Sequence, residues 1–549
     1  TEFTIEQGKL WMLQTRVGKR NGIAALRMAV EMTSPDDLGI SKEEAISRIT
    51  ADLLDQVLHP QFAEPVTAIA KGLGASPGAA VGQVYFTADD AKAASERGEK
   101  VILVRNETSP EDVHGMIVAE GILTTRGGLV SHAAVVARGW GKPAIVGAES
   151  IKIAGRKFSV GGTTVSEGDV ISLDGATGQV VLGPVKVAAG VASEEFHTLL
   201  GWADDLRAGN LNVRANADNG PDAANARKFG AEGIGLCRTE HMFLGERLPV
   251  VRQMILARTP DEEVAALEAL RGAQKEDFVE ILEAMDGLPV CVRLLDPPLH
   301  EFLPSSEELA VKEATTGLSG EEQRLLDAAR EWEEVNPMLG TRGVRLGVVK
   351  PGLYGMQVRA LLEACAERVA AGGNPVVEVM IPLTVNREEL ATARLWVELA
   401  IADAGHVGEV TIGTMVETPR AALRAADLAE VADFFSFGTN DLTQMTFGFS
   451  RDDVSAKTMP AYLEAGLLKR DPFDTIDQEG VGELVRIGAE RGRSVKPDLK
   501  LGVCGEHGGD PESIQLFYDA GLDYVSCSPF RIPIARLAAA QAVIKSGKR

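Results

Sequence analysis

The sequence has little cysteine, and its few cysteines are far apart. Five occur among 549 residues, and no two are spaced closely enough for a Cys-x-x-Cys site. This odd, scattered set excludes the disulfide framework of a small secreted domain and indicates free thiols in a reducing compartment. We therefore predict a cytoplasmic protein.

Long apolar runs and an excess of positive charge are also missing. No stretch of about 18 consecutive apolar residues occurs, which predicts a chain without a transmembrane helix. The formal net charge is −23 at pH 7, so neither a nucleic acid nor an anionic membrane is expected as a partner. Small anions remain possible ligands, because a few clustered arginines can outweigh a distant negative surface.

The first residues indicate a β-hairpin. Residues 1–16 hold two alternating runs around Gly8, with no initial Met, signal peptide or transit-like segment. A hairpin at the very start predicts a chain cut from a longer one. Residues 19–70 favour helix, and the segment from Ser41 to Glu44 resembles a capping box.

Residues 71–185 favour a compact β/α domain. Glycine and Asp-Gly turns separate short β runs. The predicted strands are Val81–Phe86, Val101–Val104, Gly121–Thr125, Ala144–Val146, Val170–Leu173 and Gln179–Leu182. Residues 185–207 then predict a mostly helical linker.

From residue 211 to the end, strand and helix patterns alternate. The eight strand candidates are Leu211–Ala217, Gly233–Arg238, Val290–Leu295, Val377–Ile381, Thr411–Met415, Phe434–Phe437, Leu501–Cys504 and Tyr524–Ser526. Eight such β/α repeats predict a TIM (β/α)8 barrel with insertions. The fold class is therefore multidomain α/β.

Most of these strands end in polar or charged residues. In a TIM barrel all carboxyl-terminal strand ends lie on one face, where the active site forms. Strand ends are also often polar because they meet water, which explains serine or asparagine well. It explains less well the arginines, carboxylates and cysteine that follow these strands, so we favour a functional site.

The segment from Thr124 to Gly139 carries a histidine at a special place. A strand runs into Gly127 and Gly128, and a helix is predicted to begin near Ser131, which puts His132 in its first turn. Free N–H groups and the helix dipole favour a phosphate there, and an imidazole can attack phosphorus. A buried or capping histidine beside a tight turn remains the alternative.

Several long motifs resemble one family. Residues 127–138 (GGLVSHAAVVAR) look like the phosphohistidine signature of the phosphoenolpyruvate-utilising enzymes. Within that family, residues 235–243, 293–302, 438–446 and 502–510 are similar to those of pyruvate phosphate dikinases. The resemblance covers essentially the whole chain.

The resemblance implies roles for individual residues. His132 would carry the phosphoryl group, and Cys504 would protonate the enolate carbon. Glu417 and Asp441 would ligate Mg²⁺. The implied substrate-binding residues are Arg238, Arg293, Arg342, Glu417, Gly438, Thr439, Asn440 and Asp441.

Alternatives stay open for some of these residues. Cys504 could be inert packing, and Cys527 occupies a similar strand end. Glu417 and Asp441 could be ion-pair partners of the arginines instead of metal ligands.

The resemblance also implies a domain order. In residue numbers it is 1–18, a remnant of an ATP-grasp nucleotide-binding domain; 19–70, a helical linker; 71–185, a swivelling phosphohistidine domain; 186–207, a linker helix; and 208–549, the pyruvate- and phosphoenolpyruvate-binding barrel. Glu2, Gln14 and Arg16 would contact nucleotide.

The resemblance implies a reaction for the full enzyme as well. It would convert ATP, phosphate and pyruvate to AMP, diphosphate and phosphoenolpyruvate, as a homodimer through the barrel. This chain alone is expected to perform only the exchange between His132 and pyruvate.

One position departs from the family pattern. Its members usually have a threonine two residues before the histidine, a regulatory phosphorylation site in plant and some bacterial relatives, and here Val130 stands there. We predict escape from that control unless Ser131 substitutes.

Other functions fit the sequence less well. Enzyme I of the sugar phosphotransferase system should carry a helical insertion near the histidine domain, which is not visible, and phosphoenolpyruvate synthase differs around the arginines. An inactive scaffold relative would have lost His132, Cys504 or a metal carboxylate, and all are present.

Overall fold

The structure is a computed structural model in which the chain forms two compact units, one ending at Trp202 and one starting at Ala203. It describes residues 2–15, 20–64, 66–109, 112–128, 131–139, 141–188, 193–243, 247–350, 352–404, 408, 410–455 and 458–547. We call the two parts the amino-terminal unit and the barrel unit, and each is described by itself.

The amino-terminal unit contains short strands and helices in alternation. They are β1 Glu2–Glu6, β2 Lys9–Gln14, α1 Gly22–Glu31, α2 Lys42–Ser47, α3 Ala51–Leu58, β3 Gln61–Phe62, β4 Ala70–Lys71, β5 Leu73–Ser76, β6 Ala79–Tyr85, α4 Ala88–Glu96, β7 Val101–Arg105, α5 Val113–Val118, β8 Gly121–Thr124, α6 His132–Gly139, β9 Ala144–Val146, β10 Lys152–Ile153, β11 Lys157–Val160, β12 Thr163–Ser166, β13 Val170–Asp174, β14 Gln179–Leu182 and β15 Val187–Ala188, followed by α7 Glu194–Arg207, which continues into the barrel unit.

The predicted hairpin at the start of the chain is confirmed. β1 and β2 pair antiparallel, and the turn between them has positive φ at Gln7 (51°) and Gly8 (76°). Glycine suits the second position because it has no Cβ to clash there. Every residue of both strands is exposed.

An eight-stranded sheet forms the centre of this unit, in the order β4-β14-β13-β6-β7-β8-β9-β5. The four strands β6 to β9 run parallel, with helices between them. All six strands predicted for this region are present. The loop after β8 contains Gly127 and Gly128 and leads into α6, whose first residue is His132, as the sequence predicted.

The helical predictions around this sheet need correction. Helices end at Leu58, and Gln61–Phe62 then pairs antiparallel with Val187–Ala188. The predicted linker is therefore helical only from Glu194. The two segments supply each other with backbone hydrogen bonds, and such tertiary pairing overrides weak local preference.

The barrel unit is built of parallel strands followed by helices. Its elements are β16 Asn212–Asn216, α8 Gly220–Lys228, β17 Ile234–Arg238, α9 Leu248–Leu256, α10 Pro260–Ala284, β18 Pro289–Arg293, α11 Ser306–Thr315, α12 Gly320–Glu331, α13 Val344–Val349, α14 Gly352–Ala370, β19 Val376–Ile381, α15 Arg387–Ala404, β20 Val410–Val416, α16 Pro419–Leu423, α17 Ala425–Ala429, β21 Phe434–Phe437, α18 Thr439–Phe447, α19 Arg451–Ser455, α20 Thr458–Glu464, α21 Val481–Val495, β22 Lys500–Val503, α22 Pro511–Asp519, β23 Tyr524–Cys527 and α23 Ile532–Ser546.

These eight strands close into a parallel barrel, with β16 paired to β23. The predicted TIM barrel is thereby confirmed, and each of its strands overlaps its predicted range. Alternation along each strand divides the side chains between the barrel interior and the surrounding helices. Among the described residues, no helix is long and apolar enough to cross a membrane.

The barrel interior near the amino ends of the strands contains charged as well as apolar side chains. Arg214 donates to Glu378 at 2.8 Å, and Lys500 donates to the same carboxylate. The guanidinium of Arg214 also lies 4.2 Å from the ring centre of Tyr524. We call these four residues the barrel floor. Above them lies a small apolar layer that includes Cys291, Met380, Met415 and Cys504.

Candidate active site at the carboxyl ends of the barrel strands

The strand alternation directs three predicted site residues into the top of the barrel. Arg293 ends β18 two residues after the interior Cys291, Glu417 follows β20 two residues after Met415, and Cys504 follows β22. Residues of even spacing share a face of a strand. The three are far apart in sequence and are brought together by the barrel.

A cluster of arginines and carboxylates lies at this face. Asp296 is at its centre: it accepts from Arg293 Nη1 at 3.1 Å, and from Arg342 Nη2 at 2.5 Å. Arg293 also pairs with Glu240, and Arg342 contacts both oxygens of Asp441 at 3.1 and 3.2 Å. Burial by itself would raise the pKa of Asp296, but the two guanidinium groups lower it below its ordinary value.

Glu417 lies in this cluster and forms no ion pair with any described residue. Its side chain is fully buried, and Oε1 accepts the backbone N–H of Leu383 at 2.6 Å. Oε2 has no hydrogen-bond partner within the described residues. Burial, followed by the charges of Asp441 and Asp296, raises the pKa of Glu417 well above its ordinary value. An additional positive charge at this position would therefore be stabilising.

Glu417 and Asp441 were predicted either as metal ligands or as ion-pair partners of the arginines, and the structure differs for the two residues. Asp441 is an ion-pair partner of Arg342, as one alternative anticipated. Glu417 forms no ion pair within the part of the chain described here. Over that same part, no group of three or more His, Cys, Asp or Glu side chains is arranged to hold a metal.

Arg238 ends β17 and is anchored by a carboxylate, Asp218, that follows the neighbouring strand β16. Asp218 accepts from its backbone N–H at 2.7 Å, from Nε at 3.0 Å and from Nη2 at 2.7 Å. The side chain of Arg238 is 36% exposed. Arg238 and Arg293 are paired in register on adjacent strands, so both guanidinium groups begin at the same level of the barrel.

The start of α18 packs closely against Glu417. A Cβ added to Gly438 would lie 2.6 Å from Glu417 Oε2, so only glycine fits there. Thr439 is buried and its hydroxyl is 2.8 Å from His507 Nδ1, whose other nitrogen contacts the Pro472 carbonyl at 2.8 Å. Burial lowers the pKa of His507. The neutral ring donates from Nε2 to that carbonyl and accepts the Thr439 hydroxyl proton at Nδ1.

The Asn440 side chain accepts the backbone N–H of Glu506 at 3.0 Å. Asn216 donates to the carbonyl of Cys504 at 3.0 Å and accepts from the Ser526 hydroxyl at 2.7 Å. These bonds tie the loop after β22 to its neighbours on both sides. Cys504 is thus held on a fixed backbone.

The structure separates the two candidate cysteines. Cys504 belongs to the interior apolar layer, whereas Cys527 packs in the core between the strands and the outer helices. Burial raises the pKa of Cys504 to about 11 and that of Cys527 to about 12. Both are therefore thiols near neutral pH, and only Cys504 lies beside Glu417 and the arginines.

A cavity of 440 Å³ opens beside this cluster. Its lining includes Arg342, Asn440, Asp441, Glu240 and His241. Its size suits a small anionic metabolite.

The other predicted residues lie in the amino-terminal unit. Glu2 and Gln14 are register partners at the open end of the hairpin, and Arg16 lies outside the described residues. His132 begins α6, and its side chain is likewise outside what the structure describes. The substitution at Val130 also falls outside the described residues.

Sequence reasoning gave no role to three residues that organise the site. Asp218, Asp296 and His507 hold Arg238, Arg342 and Thr439, respectively. The only signal was position: Asp296 and His507 lie within the quoted motifs, and Asp218 directly follows the predicted strand Leu211–Ala217. Nothing in the sequence shows which distant side chain each would meet.

Comparison with known protein families agrees with this geometry. Residues 192–544 match the family model described as the PEP-binding domain of PEP-utilising enzymes, and residues 98–178 match the one described as their mobile domain. The chain belongs to the PEP-utilising enzyme family. Within it, the barrel corresponds to the PEP-binding domain, and the segment from β7 to β13, which includes α6, corresponds to the mobile domain.

Curated relatives in this family are similar over nearly all of the chain. Pyruvate, phosphate dikinase 1 of Arabidopsis thaliana, a chloroplastic protein, is 52% identical over 99% of this chain and 57% of its own length. Pyruvate, phosphate dikinase of Rhizobium meliloti (strain 1021) is 52% identical over 99% and 61%. Pyruvate, phosphate dikinase 2 of Zea mays is 51% identical over 99% and 62%. The chain spans about three fifths of the length of these relatives.

Proposed function

We propose that this chain exchanges a phosphoryl group between phosphoenolpyruvate and His132, interconverting phosphoenolpyruvate and pyruvate. The observation that carries the proposal is the arginine–carboxylate cluster beside Glu417 at the carboxyl face of the barrel. Three guanidinium groups suit a substrate with a phosphate and a carboxylate, because planar forks bind both groups in a bidentate manner. The names of the relatives support this substrate class.

The proposed reaction begins with phosphoenolpyruvate held by Arg238, Arg293 and Arg342. A nitrogen of His132 attacks phosphorus, the P–N bond forms, and the bond from phosphorus to the enolate oxygen breaks. The electron pair stays on that oxygen, giving the enolate of pyruvate. The guanidinium groups stabilise the negative charge in both states.

Cys504 is proposed as the acid that completes the reaction. Its thiol gives a proton to the methylene carbon of the enolate, which becomes the methyl group of pyruvate. The thiolate then regains a proton from solvent. A thiol pKa raised to about 11 supports this role, since the proton is present near neutral pH.

The residues present fit a magnesium ion. Glu417 offers a buried oxygen that has no hydrogen-bond partner among the described residues, and the charge of Asp441 acts on it. Mg²⁺ takes one or two protein carboxylates, with water and substrate oxygens completing its shell. We propose Glu417 and Asp441 as its protein ligands. When bound, the ion would supply positive charge that stabilises the enolate oxygen. Gly438, Thr439 and Asn440 are proposed to line the substrate beside these ligands.

The remaining parts of the proposal concern the larger reaction. As the family resemblance implies, ATP and phosphate would be converted to AMP and diphosphate with phosphorylation of His132 at a nucleotide site to which Glu2, Gln14 and Arg16 belong. The proposed location is the cytoplasm, and the proposed assembly is a homodimer through the barrel. The domain boundaries given above remain predictions.

Labelling with phosphoenolpyruvate tests the proposed half-reaction. The chain is incubated with phosphoenolpyruvate carrying ³²P and with Mg²⁺, and protein-bound label is measured before and after mild acid. We expect acid-labile label that disappears in His132→Ala. The control is His114→Ala, which changes a partly exposed histidine of the same unit that pairs with Asp89 and should keep full labelling.

The other outcomes are equally informative. Label retained in His132→Ala would refute the assignment of the phosphoryl carrier. No label in the unsubstituted chain would favour an inactive scaffold over any phosphotransferase. ATP labelled at its β-phosphate, given with phosphate, tests the nucleotide-dependent half-reaction separately, and label that appears on this chain and disappears in His132→Ala would show that this half-reaction is also present.

A further inference from the structure

Three carboxylates at the amino ends of the barrel strands share one arrangement. Each precedes a strand, accepts a backbone N–H of the neighbouring strand, and pairs with an arginine. The sets are Glu232 with Val213 and Arg207, Asp433 with Ile412 and Arg394, and Asp523 with Leu501 and Arg493. The amino-terminal face of a TIM barrel serves stability, so these three are structural.

Asp218 makes the same arrangement at the opposite end of the barrel. It follows β16 and accepts the backbone N–H of Arg238, the last residue of the neighbouring β17, at 2.7 Å. The arginine that it pairs with is Arg238 itself, through Nε at 3.0 Å and Nη2 at 2.7 Å. One carboxylate therefore fixes both the backbone and the side chain of a residue at the substrate face.

This contact determines which part of the guanidinium group is free. A guanidinium group has five N–H donors, and Asp218 occupies its Nε and Nη2 edge. Nη1 forms no hydrogen bond with any described residue, and 36% of the side chain is exposed. The outer edge of Arg238 is therefore available to an anion.

His241 is held by the same carboxylate. Its Nδ1 lies 2.8 Å from Asp218 Oδ2, the oxygen that also accepts from Arg238. The ring lines the cavity and its side chain is 45% exposed. With Nδ1 engaged by a buried acid, Nε2 is left to contact a ligand.

Asp218 stays charged under all relevant conditions. Burial alone would raise its pKa, but the hydrogen bond from His241 and the charge of Arg238 hold the pKa at about 2. Its negative charge near neutral pH is therefore constant, and it holds both Arg238 and His241.

We propose that Asp218 is a positioning residue, which presents the outer edge of Arg238 and the Nε2 atom of His241 to the anionic phosphoryl group of the substrate. His241 thereby becomes a further substrate-contacting residue. The inference rests on the proposed function, since phosphoenolpyruvate is taken as the ligand. At the amino end of the barrel this carboxylate geometry only stabilises the fold. At the carboxyl end, the same geometry organises substrate binding.

Calorimetric titration with phosphoenolpyruvate in the presence of Mg²⁺ tests this. Asp218→Asn should raise the dissociation constant for phosphoenolpyruvate by about tenfold or more, because a charge-assisted contact to Arg238 is lost. The matched control is Asp523→Asn, which removes the same type of contact at the amino end and should leave the dissociation constant unchanged. Thermal unfolding of both variants measures the structural cost separately.

A double-mutant cycle separates positioning from general damage. If Asp218 acts through Arg238 and His241, Asp218→Asn should weaken binding by less than about twofold in a background that carries both Arg238→Gln and His241→Asn. Additive effects would overturn the proposal. If Asp218→Asn does not fold, His241→Asn decides, since the asparagine amide can replace the Nδ1 atom of His241 but not its Nε2 atom. Weaker phosphoenolpyruvate binding by this variant supports the proposal, and unchanged binding overturns it.

Failure of the proposed function gives a different result. Absence of phosphoenolpyruvate binding by the unsubstituted chain would reject phosphoenolpyruvate as the ligand. Normal binding by the unsubstituted chain together with normal binding by Asp218→Asn would reject only the role of Asp218.

Discussion

The backbone N–H of Leu383 donates to Oε1 of Glu417 at 2.6 Å, and Leu383 has a φ of +59°. Positive φ is unfavourable for a branched side chain, and such strain gathers at functional sites where the surroundings enforce it. Here the strained residue orients one oxygen of Glu417, while the other oxygen has no described partner. The site thus holds a carboxylate that is more stable protonated or beside a cation.

Glu417→Gln should therefore stabilise the protein at neutral pH in the absence of divalent ions. The pKa of Glu417 is raised above its ordinary value of 4.5 in the folded state. Below that ordinary value Glu417 is protonated in both the folded and the unfolded protein. As pH rises from there toward the raised pKa of the folded state, the protein loses stability. The difference between the variant and the unsubstituted protein should grow by at most about 1.4 kcal/mol per pH unit.

Unfolding curves measured between pH 4.5 and 8 check this, with Mg²⁺ as a second variable. Added Mg²⁺ should raise the unfolding temperature of the unsubstituted protein more than that of Glu417→Gln. Parallel stability curves for the two proteins across this pH range would contradict the argument.

Gly438→Ala should damage the site without unfolding the barrel. Its Cβ would lie 2.6 Å from Glu417 Oε2 and 2.7 Å from the Met415 methyl, so the carboxylate must move. We expect phosphoenolpyruvate binding to weaken by about tenfold or more, since a small misplacement in such a site is costly. The control is Gly272→Ala on the exposed side of α10, where a Cβ meets nothing within 4 Å, and where alanine should stabilise by about 1 kcal/mol.

The sequence predicts the barrel well because each strand is an apolar run that ends in polar residues, and that pattern is local. It does not predict β5, since Leu73–Ser76 contains Gly74 and lacks β-branched residues. A Cβ at Gly74 would lie 2.3 Å from the Gly175 carbonyl, so this strand is defined by close backbone approach.

The site divides in the same way. Arg293, Glu417 and Cys504 are readable from strand ends and from family motifs. The roles of Asp218 and Asp296 depend on pairing: Asp296 meets an arginine 46 residues away, and that arginine meets Asp441, a further 99 residues along the chain. Local patterns carry no information on such pairs.

Cys504→Ala and Cys527→Ala should differ in activity and agree in stability. Both thiols are buried, so each substitution should cost a similar, modest free energy of unfolding. Only Cys504 faces the barrel interior, and Cys504→Ala should slow exchange of the pyruvate methyl protons with D2O by about 10² to 10⁴. Proton NMR of pyruvate with Mg²⁺ and each variant measures this, and equal exchange rates would reject Cys504 as the acid.

Glu378→Gln should have the opposite effect on stability to Glu417→Gln, although the substitution is the same and both residues are buried, Glu378 on β19 and Glu417 directly after the adjacent β20. Glu378 is surrounded by two cations, Arg214 and Lys500, and their charges hold its pKa below the ordinary value against the effect of burial. Removing this charge leaves both cations without compensation and should destabilise by about 3 to 5 kcal/mol. Because the barrel floor lies below the substrate layer, the dissociation constant for phosphoenolpyruvate should stay within about twofold of its normal value. Chemical denaturation at pH 7 measures the free energy of unfolding, and calorimetric titration measures the dissociation constant. A Glu378→Gln variant more stable than the unsubstituted protein would mean that the charges of the barrel floor destabilise the fold.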